Sequence, residues 1–280
     1  MLAVAISLIA SVAWGSTDFL SGLASRRAPV PAVVLGVEGT GLIVILLVAI
    51  LSGEPVPDVA TMAQGAAAGI AGVSGLALFF TALSLGSMSL VAPITACGAA
   101  LPAIVGVAGG DPFSRLLAVG LVAAFTGIVL VAMEGRHEGD AQSGRSRRPL
   151  ALAGLAAVGF GGYYVLFDSV ADQSIAWGLV AARGIPVIAL TGIVSVRRIA
   201  LPPAPVRRLI GAAGLLDITA TSLYGVALTK GALSAVSVVG SLFPLTTVLL
   251  ARVVLGERVR PVQLAGIVLA LGGVALIAAG

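Results

Sequence analysis

Residues 227–279 read ALTKGALSAVSVVGSLFPLTTVLL, then ARVVLGERVRPVQ, then LAGIVLALGGVALIAA. Two apolar runs of about 20 residues, each long enough to cross a ~30 Å hydrocarbon core, flank a short turn carrying Gly256, Glu257, Arg258 and Arg260. This pattern predicts a membrane hairpin. A weaker copy lies in the first half, where residues 82–133 read ALSLGSMSLVAPITACGAALPAIVGVAGGDPFSRLLAVGLVAAFTGIVLVAM. An offset of 146 sets Gly120 on Gly266, Gly127 on Gly273 and Leu130 on Leu276, and an offset of 145 sets Ala82 on Ala227, Gly86 on Gly231 and Ser89 on Ser234. Matched glycines and serines point to an internal duplication more strongly than matched aliphatics do in so apolar a chain.

Composition supports the membrane reading along the whole length. Of 280 residues 59% are hydrophobic and only 10% charged, where soluble domains carry about 25% charge. The 37 glycines suit helices packed backbone to backbone through small residues. The single Cys97 cannot form an internal disulfide. A sequence pI near 10.0 comes from basic loops and is expected to set topology, with no nucleic-acid partner. Residues 1–22 have no basic leading segment and carry Asp18, so they predict a retained first helix, not a cleaved signal.

Ten spans are predicted, near 2–22, 31–51, 60–84, 88–108, 115–133, 150–168, 176–196, 207–228, 233–254 and 261–279. Helices are required because an apolar segment must satisfy its own backbone in lipid. The one polar, Gly/Ser/Arg-rich stretch, EGRHEGDAQSGRSRRP at 134–149, divides the chain into a first five-helix repeat (1–133) and a second (150–280). Because five is odd, the second half enters the membrane opposite to the first. The expected fold class is an all-α integral membrane protein, ten transmembrane helices as two inverted five-helix repeats, with a solute site at the midplane between them. The predicted location is the cell membrane. Loop charge places Arg26, Arg27, Arg136, Arg145, Arg147, Arg148, Arg197, Arg198, Arg207, Arg208, Arg252, Arg258 and Arg260 on one side, with Arg115 and Lys230 on the other. The positive-inside rule then puts both termini outside.

Ionisable groups inside spans each cost roughly 2.5–3.5 kcal/mol, so each needs a partner, water or a function. Glu38 lies between Gly36, Gly39 and Gly41, which let another backbone or a solute approach. Asp18 falls at a comparable depth if the first two helices form a hairpin, and two carboxylates sharing a low-dielectric cavity make a proton-coupled site, with Asp18 as proton partner. Arg183 can grip a substrate carboxylate or neutralise Glu38 or Asp217. Asp217 precedes Thr219, Thr221 and Tyr224, which could line a polar cavity, and its counterpart at an offset of 145 is Gly72. Trp14, Tyr163 and Tyr224 suit an aromatic wall, whereas Trp177 and Tyr164 suit interfacial or packing positions. Pro93, Pro102, Pro186 and Pro244 are candidate hinges.

These residues carry a resemblance to the drug/metabolite transporter superfamily, in its ten-helix EamA-type branch. The matching features are Trp14-Gly15-Ser16, the Gly256-Glu257-Arg258 turn followed by Gln263 and Gly266, Pro244, and Arg183 in span seven. Where the family shows an Arg-Phe pair in the second helix of each half, this chain has Arg183-Gly184 and, in the first half, Glu38. The first-half turn reads Gly110-Asp111-Pro112 where the family favours Gly-Glu. The resemblance implies inverted repeats around a central cavity, solute export or exchange, and termini in the cytoplasm, against the loop-charge reading.

Enzymatic chemistry finds little support. The sole histidine, His137, is in the linker, and no metal-ligand cluster or phosphate-cradling glycine loop is present, so no metal or cofactor is expected. The expected function is a secondary transporter, exporter or exchanger, of a small organic solute such as an amino acid or related metabolite, with protons as the coupling ion and the lipid bilayer as surroundings. Its site residues would be Glu38, Arg183, Asp217, Trp14, Tyr224 and Asp18. The alternatives are an intramembrane enzyme acting on a lipid-linked or small polar substrate, and a drug or cation efflux carrier.

Overall fold

A computed structural model describes residues 1–86, 88–111, 113–133, 148–255 and 261–279. Linker residues 134–147 with His137, Pro112 of the first-half turn, and the Gly256-Glu257-Arg258 turn with Arg260 lie outside the described residues. Among the described residues twelve α-helices make ten crossings: α1 (Leu2–Ser25), α2 (Val30–Ser52), α3 (Val59–Leu85), α4 (Met88–Ala96), α5 (Ala100–Ala108), α6 (Arg115–Met133), α7 (Arg148–Ala171), α8 (Ile175–Val196), α9 (Ala204–Leu228), α10 (Leu233–Gly240), α11 (Phe243–Leu255) and α12 (Pro261–Ala279). Among the described residues, seven segments are long and apolar enough to cross a bilayer by length and composition alone.

Local chemistry sets the helix ends. α2 opens behind Pro29 with proline in its first turn and closes on Gly53 at φ 68°, a left-handed position that only glycine adopts without strain. Asp58 caps α3 by accepting from the N–H groups of Ala60 (2.8 Å) and Thr61 (3.0 Å), and the Thr61 bonds hold its carboxyl below the usual carboxylate range. Ser174 caps α8 through Trp177 N–H at 3.2 Å.

Spans four and nine are each broken near the middle. A 3₁₀ turn, Cys97–Ala99, separates α4 from α5, and Ser241 and Leu242 separate α10 from α11. Prolines were the expected hinges, yet the breaks fall elsewhere: Pro102 sits in the first turn of α5 and Pro244 in that of α11, where a missing N–H costs nothing. Pro186 lies inside α8 without breaking it.

Helix pairing is symmetric under exchange of the halves. α3 packs on α7 as α9 packs on α1, α3 on α8 as α9 on α2, and the equivalent helices α2 and α8, and α6 and α12, face each other. Polar contacts between loops show the inversion directly. Ser174 Oγ donates to Glu54 Oε2 at 2.7 Å, Trp177 Nε1 donates to the Glu54 carbonyl at 3.0 Å, and Thr61 Oγ1 donates to Gln173 Oε1 at 2.9 Å. The connection after the second helix of one half therefore shares a membrane face with the connection after the first helix of the other. Asp111 Oδ2 accepts from Ser234 N–H at 2.9 Å on that same face. Parallel repeats would put each of these pairs on opposite faces.

Close backbone contact holds the halves together. A Cβ added at Gly69 on α3 would collide with the Ala182 carbonyl oxygen on α8, so this crossing exists only because position 69 is glycine.

Candidate functional site

The helices that cross near the molecular centre bring their rare polar residues to one cavity of about 90 Å³. At ~10–15 Å³ of such volume per water, it has room for several waters or a small solute. Trp14 and Asp18 enter it from α1, Glu38 from α2, Gly72 and Val73 from α3, Tyr163 and Tyr164 from α7, Arg183 from α8, and Asp217 and Thr221 from α9. Phe243, at the start of α11 just past the break in span nine, also lines it.

Arg183 is the centre of the polar network. Nη1 donates to Glu38 Oε2 at 3.0 Å, while Nη2 donates to Asp217 Oδ2 at 2.5 Å and to Thr221 Oγ1 at 3.1 Å. All three charged residues are buried, with exposures of 4% for Arg183, 8% for Glu38 and 7% for Asp217. In a low-dielectric interior each carboxylate is tolerable only because the guanidinium sits between them. The local sequence makes room for it: a Cβ at Gly41 would meet Nη1 at 2.6 Å, so the glycine one turn after Glu38 admits the arginine. Glu38 and Arg183 are 145 residues apart, the repeat offset itself, and they sit on the mutually facing helices α2 and α8. They are equivalent positions of the two repeats, meeting on the pseudo-twofold axis with opposite charges.

Asp18 stands apart from this triad. It is 6% exposed and lines the cavity, and its Oδ2 has no hydrogen-bond partner among the described residues. The hydroxyl of Tyr163, which also lines the cavity, and Arg183 Nε are unpartnered in the same sense. Asp18 and Tyr163 are again related by the offset of 145.

The aromatic wall is continuous. Trp14 lies 6.0 Å from Tyr164 and 5.3 Å from Tyr224, and Tyr164 and Tyr224 are 5.0 Å apart, centroid to centroid. Tyr224 is fully buried one layer behind the lining, its hydroxyl 2.8 Å from Ser237 Oγ. Tyr164, expected at an interface or in helix packing, lines the cavity instead, whereas Trp177 sits at the loop clasp on Glu54. Thr219 is also corrected: it is exposed and bonds back to the Leu215 carbonyl, because at 100° per residue it points away from the face shared by Asp217, Thr221 and Tyr224. Of the flanking glycines near Glu38, Gly36 approaches Ile210 and Gly39 opens on nothing within 4 Å. Phe160, Phe243 and Gly69 line the cavity without having been foreseen, since an isolated Phe or Gly in a lipid-crossing run gives no sign of which way it faces. Among the described residues no cluster of His, Cys, Asp and Glu could hold a metal ion.

Comparison with known proteins places this architecture. Comparison with curated proteins returns no match. Of 21 solved chains that match, one crystal structure superposes with a TM-score of 0.77 over 99% of this chain and 98% of its own, at 16% identity, a likeness of fold alone. A family model, the EamA-like transporter family, matches twice, over residues 1–133 and 147–279. With ten crossings, two inverted halves and a family match to both, the chain is a multi-pass membrane protein that belongs to the EamA-like transporter family.

Proposed function

We propose that this membrane transporter is a secondary carrier in the cell membrane, exporting or exchanging a small organic solute such as an amino acid or related metabolite. Two units, residues 1–133 and 150–280 joined by the segment 134–149, would expose the cavity alternately to the two faces. The supporting observation is the buried cavity itself, where Arg183, Glu38 and Asp217 meet between inverted halves and the discontinuous ninth span contributes Phe243. Broken spans and buried charges of this kind are how transporters place polar sites within lipid.

The residues then take distinct roles. Trp14, with Tyr224 holding it from behind, forms the apolar floor for the solute. Glu38 is the coupling group: its bond to Arg183 joins α2 of one half to α8 of the other, and a proton on its carboxyl cancels that attraction and frees the two halves to part. Asp217 keeps Arg183 compensated when Glu38 lets go. Asp18 supplies a carboxylate whose Oδ2 has no partner among the described residues.

A thermal-shift screen of the purified protein against a metabolite panel supplies the solute, since a ligand that binds only the folded state raises its apparent stability. In proteoliposomes Glu38→Gln should then abolish proton-gradient-driven uptake while leaving solute exchange intact. Gradient dependence equal to that of the parent protein removes Glu38 from the coupling role.

A further inference from the structure

The cavity is lined by three carboxylates, Asp18, Glu38 and Asp217, against one guanidinium, Arg183. Both terminal nitrogens of Arg183 are already engaged by Glu38, Asp217 and Thr221, so no bidentate face is left to grip an anion. Among the described residues that line the cavity, the buried polar atoms that make no hydrogen bond at all are one acceptor, Asp18 Oδ2, together with the Nε–H donor of Arg183 and the hydroxyl of Tyr163. Native interiors rarely leave buried polar atoms without a partner, so three of them at one cavity point to a ligand.

Their chemistry selects it. We infer that the transported solute is a small organic ammonium with a neutral polar group at its other end, bound through its nitrogen at Asp18 and through its carbonyl or hydroxyl oxygen at Arg183 Nε–H and Tyr163. The ammonium meets an unpaired carboxylate beside the rings of Trp14 and Tyr164, where a cation is further stabilised by the aromatic faces. A neutral oxygen accepts from Arg183 Nε–H at no electrostatic cost. A carboxylate placed there faces Glu38 and Asp217, which share the same guanidinium, and like charges at that range in a low dielectric repel strongly. This inference rests on the carrier reading and narrows its solute class from amino acids to their neutral-ended amine relatives.

Two measurements test it without requiring flux. In a Cys97→Ser background, Val73→Cys places a thiol in the lining, with Leu76→Cys as the alternative position. Methanethiosulfonate reagents bearing an ethylammonium or an ethylsulfonate group are compared, each rate divided by its rate with free cysteine. The cationic reagent should react at least about tenfold faster, and Asp18→Asn should remove most of that preference. Equal or inverted rates, no labelling by either reagent, or a preference unchanged by Asp18→Asn overturns the inference. Valinamide, valine and isovalerate are then compared by thermal shift of the purified protein. Valinamide should stabilise most and isovalerate not at all; valine matching or exceeding valinamide, or no shift with any of the three, overturns it. Neither outcome bears on gradient-driven flux, which tests the carrier reading separately.

Discussion

Replacing Arg183 by methionine keeps much of the side chain's length and removes its charge. The native residue holds Glu38 and Asp217 at 3.0 and 2.5 Å, and the other donors among the described lining residues, the Trp14 indole N–H and the hydroxyls of Tyr163, Tyr164 and Thr221, are neutral and cannot replace its charge. Thr221 loses little, because its hydroxyl also donates to the Asp217 carbonyl at 2.7 Å. Breaking a buried pair by removing one member costs about 3–5 kcal/mol. Here the cavity admits water, which lowers the figure to about 3 kcal/mol. At roughly 2–4 °C per kcal/mol for a chain of this size class, the apparent Tm in detergent should fall by about 6–12 °C. The decisive comparison is the triple variant Arg183→Met/Glu38→Gln/Asp217→Asn, which leaves no uncompensated charge within the triad and should regain at least half of the loss. Intrinsic fluorescence during a thermal ramp reads both. A fall of less than about 2 °C for Arg183→Met, or a triple variant less stable than the single one, would refute the account of Arg183 as the charge that holds the triad together.

Two further outcomes follow from packing and from the loops. Gly69→Ala should cut the yield of folded protein sharply and lower stability by about 1–3 kcal/mol, because the added methyl meets the Ala182 carbonyl. Gly184→Ala, with nothing within 4 Å, should be neutral or slightly stabilising, and size-exclusion profiles with thermal ramps separate the two. Tying Glu54→Cys to Ser174→Cys with a short thiol cross-linker, in the Cys97→Ser background, should arrest flux until reductant is added, because those residues clasp the two halves at one face. Undiminished flux in the cross-linked protein would show that this face does not open.

The ten crossings were legible because lipid imposes one strong rule, that an apolar run of sufficient length must close its own hydrogen bonds. The two breaks were not legible. Cys97–Ala99 and Ser241–Leu242 have no proline at the break, and small residues inside an apolar run are equally at home in an unbroken helix. The convergence of Glu38, Arg183 and Asp217 could be anticipated because a charge in lipid needs a partner and partners are few. Glu38 or Asp217 was the expected partner of Arg183; that it takes both at once, while Asp18 Oδ2 is left without a bond among the described residues, is decided only by the packing of α2 and α9 against α8. Tyr164 misled because a ring near a span's end is as common at a membrane surface as in a pocket.

The ion pair on the pseudo-twofold axis has a consequence for how the molecule is assembled. Any residue on such an axis confronts its own counterpart, and here the counterparts are Glu38 and Arg183. A dimer made from two copies of the first half would press glutamate against glutamate, and one made from two copies of the second would press arginine against arginine. Neither could close around its centre without stranding a charge, so each half is obliged to find the other and cannot be satisfied by itself.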